Sequence, residues 1–401
     1  MEIKTQPQPI PRKKEPAFAL KGFDKEMATT SYFGFTPVRT PEITKDDFTK
    51  ARIAKDPYWE KKRIVDTAPF PYDVVEKCAL LRTYIDWDME NLPHPILISY
   101  KKPCHGSEWK SNGDYILGLE IFDLAGSAAE GILLRTTLSI LLDEGYKNLT
   151  VRVNSVGDRE SVADFERMLQ GYARKNMNAF PAELRKLVKS DVFEIFRGTD
   201  PKAQTFKDNA PKSMSFLSEP ARIHFKEIVE YIESIGVPYD ILPELIGAPS
   251  FCSHALFEIE SEGKILASAF RYSRLSKKIG WKKEMPAIGA TLSFKKKTKG
   301  GVIKHLPTPK LYLVQLGFCA KLKTLTVLEV LRKAKILVAH SLAKDKLQSQ
   351  LGSAENLRVS HVLIIGQKEA MEDCVVVRDM NTRVQETVAI ANLPEYLKHL
   401  K

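Results

Sequence analysis

The side chains in this sequence that could do chemistry on their own are few and widely spaced. His94, His105, His224 and His254 stand at no spacing that would close a metal site, and they read as surface or satisfied core residues, so no metal is expected. Cys78, Cys104, Cys252, Cys319 and Cys374 include no C-x-x-C pair. Their odd number argues against a disulfide framework and suits a reducing cytoplasm. Nothing has the surroundings of an activated nucleophile. What remains is charge: 61 Lys+Arg against 50 Asp+Glu leave a formal net charge of +11, compatible with a polyanion partner without demanding one. The densest cationic run is Lys295-Lys296-Lys297-Thr298-Lys299-Gly300-Gly301. It reads first as a solvated linker and second as a strip that contacts phosphates.

Those residues need elements to hold them. At 401 residues the chain is long enough for two or three domains, and 43% hydrophobic with 28% charged residues excludes collagen-like, mucin-like and wholly disordered chains. No apolar run reaches the roughly 18 residues of a membrane span, and no apolar stretch follows the charged start, so neither membrane insertion nor secretion is expected. The stretch to about Phe23, rich in Pro, Lys and Gln, reads as a mobile arm.

Ser127-Ala128-Ala129-Glu130 has the form of a capping box opening a helix whose apolar face carries Ile132, Leu133, Ile140 and Leu141, with Gly145 as its cap. Leu149 to Val153 alternates as a half-buried strand, Asn154 to Asp158 turns, and Asp158 caps a helix over Glu160 to Lys175. A second amphipathic helix spans Ala221 to Ile235, and Pro201, Pro211 and Pro220 break the region between into short elements. Beyond the basic run, strands are expected at 311–314, 336–339, 361–365, 374–378 and 386–388, with helices at 321–332, 344–351 and 393–400. Alternation of this kind suggests a small α/β domain with a mostly parallel sheet.

This C-terminal segment resembles the anticodon-binding domain shared by the histidine, glycine, threonine and proline class II aminoacyl-tRNA synthetases. The resemblance rests on Leu331-Arg332-Lys333-Ala334, Leu347-x-x-Gln350-Leu351, Ile364-Ile365-Gly366, Val375 to Asp379 and Glu386-Thr387-Val388. Upstream, VRVNSVGDRESVADFERML is similar to a turn and helix particular to histidyl-tRNA synthetases, and HFKEIVEYIESIGVPYDI continues that family's order. Tyr32 to Phe35 and Arg39-Thr40-Pro41 resemble class II motif 1, the dimer-forming segment. The resemblance implies an α+β fold: an antiparallel synthetase-like core over 24–294 with a helical insertion at about 159–235, a basic linker over 295–309, and an α/β anticodon-binding domain over 310–401.

Adenylate formation brings a carboxylate against a phosphate, so such a site needs fixed arginine forks, bound magnesium and an acid for the substrate amine. The matching positions depart from the family's pattern. Ser99 stands at the motif 2 arginine, Lys101 at the acid before the arginine-proline pair, and the loop CHGSEWKSNGDY lacks the expected arginines. Phe70-Pro71-Tyr72-Asp73-Val74 lacks the amine-holding glutamate, with Asp73 one place away, and Gly247 to Cys252 carries neither the histidine-specific arginine nor its two tyrosines. Of motif 3 only Arg271 and Tyr272 survive, and its nucleotide-stacking arginine falls on Lys296. Glu120 matches the family's strand acid.

The resemblance with these losses implies a non-catalytic synthetase paralogue that binds tRNA or another structured RNA. Glu120, Arg271, Tyr272 and Lys296 are its residual pocket candidates, and Lys295, Lys297, Lys299, Lys321 and Arg378 its RNA-binding candidates. A homodimer in the cytoplasm is expected, with no cofactor. The alternative is a divergent active histidine–tRNA ligase, using ATP and magnesium. A further alternative is a regulatory subunit of a histidine-biosynthesis enzyme, although such paralogues usually lack the C-terminal domain.

Overall fold

Strands whose side chains alternate between two apolar environments build the centre of the molecule. The computed structural model describes residues 24–54, 74–103, 115–197, 201–294 and 308–400. The N-terminal arm, the Phe70 to Asp73 loop, Cys104, His105 and the run Lys295 to Lys299 lie outside the described residues. Eight strands form one sheet: β1 (Thr36–Pro37), β2 (Ile96–Pro103), β3 (Tyr115–Phe122), β4 (Leu149–Gly157), β5 (Tyr239–Ile241), β6 (Ser253–Ser261), β7 (Lys264–Arg271) and β8 (Ala287–Phe294). Their spatial order is β1-β2-β3-β8-β7-β6-β4-β5, antiparallel throughout except for the two edge pairs β1–β2 and β4–β5.

Period-two alternation divides the side chains between the sheet's two faces. On one face Leu117, Leu119 and Ile121 of β3 join Ile288, Ala290 and Leu292 of β8. They pack on helices α1 (Lys25–Tyr32), α4 (Ala128–Asp143) and α6 (Glu219–Ile235). On the other face Ile98, Tyr100, Phe122, Phe270 and Tyr272 meet α3 (Val74–Asp86) and α5 (Arg159–Asn176), with α2 (Lys45–Ile53) outside α3. Every residue of α4 from Ala128 to Leu141 is buried, which a helix with little amphipathicity requires: it lies under the sheet and is covered by three other helices.

Two local expectations fail at the ends of these elements. Ser127 and Glu130 form no capping box, because the Ser127 hydroxyl donates to Glu227 on α6 while Glu130 is taken by a distant arginine. Strand β4 runs on to Gly157 instead of stopping at Val153, since Asn154 is buried and donates to the carbonyls of Pro243 and Leu245. Asp158 does cap α5, accepting from the Ser161 amide at 2.9 Å. Gly145 follows α4 with φ +89°.

The C-terminal domain carries β9 (Leu311–Gln315), α7 (Phe318–Lys333), β10 (Val338–His340), α8 (Leu347–Asn356), β11 (His361–Ile365), β12 (Cys374–Asp379), β13 (Gln385–Ala389) and α9 (Leu393–His399). The sheet order is β10-β9-β11-β12-β13. It is mixed, not mostly parallel: β10, β9 and β11 run parallel, and β12 and β13 are antiparallel to their neighbours. The connection from Ile365 to Cys374 is too short for a parallel crossover, which takes a dozen or more residues.

This domain docks on the core through α7. Arg332 reaches Asp143 of α4 at 2.6 Å and Glu329 at 2.8 Å, and the Tyr32 hydroxyl donates to the carbonyls of Leu328 and Ile336.

Candidate functional site

Glu120 lies in the middle of β3, on the face that looks toward α3. Its neighbours in the sheet make room for it. A Cβ on Gly289, directly opposite on β8, would fall 2.1 Å from Glu120 Oε2, and one on Gly118 would fall 2.2 Å from the ring of Tyr100. Glycine at both places is a steric requirement of this arrangement.

The space above Glu120 is filled by the protein's own side chains. Lys77, on the first turn of α3, places its ammonium on Glu120 Oε1. Tyr272 donates to Oε2 at 2.7 Å and Tyr100 approaches Oε1 at 3.4 Å. Lys77 Nζ sits 5.4 Å from the Phe270 ring centroid and 5.2 Å from that of Tyr272, within cation–π range. Lys77 and Glu120 are 1% and 0% exposed, so the pair has no contact with solvent. A second pair, Lys102 with Glu76 at 2.6 Å, lies beside the first. Burial pushes the Glu120 carboxyl above its usual range, against the pull of Lys77 and Tyr272. Burial likewise holds the Tyr100 and Tyr272 phenols well above theirs, so both stay protonated donors.

Arg271 is adjacent to Tyr272 in sequence and points through the opposite face of the sheet. Its fork takes both carboxylate oxygens of Glu130, at 2.9 and 2.7 Å, and two further N–H groups reach the carbonyls of Leu124 and Gly126. Four of the five guanidinium N–H groups are engaged in this way, and the side chain is 2% exposed. Burial alone would raise the Glu130 carboxyl, but Arg271 and His224 hold it below its usual range. His224 and His254 pack beside this pair with ring centroids 4.6 Å apart and planes tilted by 57°, and burial lowers both imidazoles, His254 to about 4.

The other anticipated positions are occupied in the same manner. Ser99 shares a 2.8 Å hydrogen bond with Thr30 and is buried. Lys101 pairs with Asp24 and Glu26 above the Tyr115 ring. The Gly247 carbonyl accepts from Arg197, and Phe251 is buried 6.2 Å from Phe270.

Of the residual pocket candidates, the structure therefore brings Glu120 and Tyr272 together, turns Arg271 away from them, and leaves Lys296 outside the described residues. Lys295, Lys297 and Lys299 also lie outside them. Lys321, in the first turn of α7, pairs with the exposed Asp345, while Arg378 lies on β12 opposite Val362 and Gln385. Lys77 and Tyr100 carry no sequence expectation, and Glu130, expected to cap a helix, instead holds Arg271. The signal available in sequence is a lysine among the apolar residues Val74, Val75, Cys78 and Leu81. Among the described residues there is no cluster of three or more metal-ligating side chains, and no helix long and apolar enough to cross a membrane.

Residues 312–400 match the anticodon binding domain family. The chain is similar to the histidine–tRNA ligase of Lysinibacillus sphaericus, 23% identical over 334 residues that cover 79% of each protein. It is 26% identical to that of Thermosynechococcus vestitus over 311 residues, covering 75% of this chain and 72% of the relative. The crystal structure of apo S. aureus histidyl-tRNA synthetase has the same fold, with a TM-score of 0.50 at 21% identity over 92% of this chain and 93% of that one.

Proposed function

We propose that this histidyl-tRNA synthetase-like protein of the class II aminoacyl-tRNA synthetase family makes no adenylate, and serves translation or its regulation by binding tRNA or another structured RNA. The observation that supports this reading is the Lys77–Glu120 pair. At the strand acid retained from the family, the cavity is filled by a tethered ammonium, two phenols and the Phe270 ring. A substrate amine would have to displace a buried ion pair, and breaking such a pair costs about 3–5 kcal/mol. The surviving arginine, Arg271, is spent on Glu130. These residues act as structure, and neither ATP nor magnesium takes part.

The RNA-binding half of the proposal rests on the C-terminal domain, whose residues 308–400 carry thirteen Lys and Arg against nine Asp and Glu. Cations on such a surface bind phosphates by releasing counterions, so affinity falls steeply with salt. The homodimer belongs to the same reading. Ile43, Phe48 and Ile53 on and beside α2, and Ile85 at the end of α3, are apolar side chains 39–57% exposed, and Ile43 follows the motif 1-like segment by two positions in sequence. The cytoplasm is its proposed place of work.

Two measurements test the proposal. Histidine-dependent pyrophosphate exchange should be absent; a rate on the order of one per second refutes the non-catalytic reading and favours the active ligase, the second reading, which the similarity to histidine–tRNA ligases supports. Full-length protein should bind tRNA more tightly at low salt than at high salt, and a form ending at Lys304 should not. Equal binding by both forms refutes the assignment of RNA binding to the C-terminal domain, and none by either refutes the RNA-binding role.

A further inference from the structure

Residues 272–286 join β7 to β8 and open with a short helix, Ser273–Lys278. Over 273–284 this connection holds five cations, Arg274, Lys277, Lys278, Lys282 and Lys283, against one carboxylate, Glu284. That is a net +4 of the +11 carried by the whole chain. All four lysines are exposed, and among the described residues Lys277, Lys282 and Lys283 form no ion pair. Glu284 is paired at 3.0 Å with Arg159, at the start of α5. The carboxylates on either side of Arg159 are Asp158, which caps α5 and accepts from Ser218, and the exposed Glu160.

Four lysines on a loose loop would be a solvated surface and no more. This loop is closed on itself. The Ser276 side chain, 0% exposed, accepts from the Met285 amide at 2.9 Å, and the Ser276 carbonyl accepts from the Trp281 amide at 3.0 Å. The Ser273 hydroxyl accepts from the Ala287 amide at 3.1 Å. Gly280 turns the chain at φ +104°, where a side chain would be strained. Trp281 anchors the turn against Tyr84 of α3, ring centroids 6.0 Å apart, and Leu275 is buried beneath it. The backbone that carries the ammoniums is thus set before a ligand arrives, and binding has only the lysine side chains to order. Exposed ammoniums on flexible stems act as point charges with no fixed fork, so they suit a chain of phosphates and read no base.

We propose that the loop 277–283 is a second contact for the phosphate backbone of RNA, on the synthetase-like core and apart from the C-terminal domain. The inference rests on the RNA-binding role proposed above. The C-terminal domain remains the primary site, and the lysines add affinity that carries no sequence preference.

The test uses full-length protein and bulk tRNA, with fluorescence anisotropy at salt between about 50 and 200 mM. Lys277, Lys278, Lys282 and Lys283 replaced together by glutamine weaken binding at low salt by about tenfold or more. The same variant makes the plot of log affinity against log salt shallower by about 2, since each lysine on a phosphate contributes about 0.7–0.9. A control with glutamine at the exposed Lys45, Lys147, Lys226 and Lys264 changes the net charge equally and keeps the parent's affinity and slope. Both variants melt with the parent, so a loss reports contact and not folding. The inference is overturned if the loop variant keeps the parent's affinity and slope, or if the scattered control loses as much; the RNA-binding role then stands. Poly-glutamate bound as tightly as tRNA, and lost in the loop variant, overturns it in favour of an acidic protein partner. A parent that binds no tRNA at low salt refutes the RNA-binding role itself, and the loop contact with it.

Discussion

Replacing Lys77 by methionine keeps the length of the side chain and removes the ammonium from a carboxylate that is 0% exposed. Glu120 then keeps only the hydroxyls of Tyr272 at 2.7 Å and Tyr100 at 3.4 Å. Stripping one partner from a fully buried pair costs about 3–5 kcal/mol, which for a core of this size lowers the melting temperature by on the order of 10 °C. Glu120→Gln added to Lys77→Met leaves no charge behind, so the double variant recovers most of that loss. The single variant also steepens a pH dependence of known sign, since burial already raises the Glu120 carboxyl in the parent and the opposing Lys77 is gone. Its Glu120, with no cation beside it, has a folded-state carboxyl raised above the unfolded value, so the folded form binds the extra proton. The variant is therefore closest to the parent at acid pH and falls away as pH rises. Calorimetry on the parent, both single variants and the double variant at pH 5 and pH 8 gives the cycle. A Lys77→Met loss below about 1 kcal/mol, or a double variant no better than the single, refutes the reasoning that a closed ion pair fills this centre.

His254 is buried with its imidazole lowered to about 4, so the unfolded chain binds the proton first and stability falls as pH drops from about 6.5 toward 4, by up to about 3 kcal/mol. His254→Asn tolerates the same left-handed backbone (φ +52°) and should flatten that loss in melting temperature against pH. Ile53→Glu places a charge on the exposed apolar face of α2 and should shift sedimentation from dimer to monomer at micromolar concentration; a parent that is already monomeric refutes the dimer. Arg332→Ala removes the bridge between Glu329 and Asp143 and should cost about 2 kcal/mol, seen as faster amide exchange in α4 and α7 while β11 and β12 stay protected.

Strands, amphipathic helices and the C-terminal domain are legible from sequence because their signals are local. Phe225, Ile228 and Ile232 need only a period of 3.6, and β9 and β11 only their runs of branched apolar residues. At the centre the sequence speaks only through the resemblance, which puts Ser99 and Gly247 where the family carries arginines. What fills the centre is not legible, because the partners are far apart along the chain. Lys77 meets Glu120 across 43 positions, and Arg271 meets Glu130 across 141. Ser127 and Glu130 look like a cap only when the rest of the molecule is ignored: a long-range guanidinium offers Glu130 two charge-assisted hydrogen bonds, where the cap offers one neutral amide. The direction of the C-terminal sheet was misread for a different reason, since strand and helix alternation fixes order but not the sense of a short return.

The pairing of Lys77 with Glu120 also limits how this chain can change by descent. Losing either charge alone strands the other in the interior, while losing both together is nearly neutral. The two codons are therefore bound to change as one, through an intermediate that folds poorly. Opening a cavity at Glu120 asks for still more, because Tyr100 and Phe270 would have to shrink as well. The filled centre resists change: drift at the surface is free, while each single step toward an open pocket carries a cost of its own.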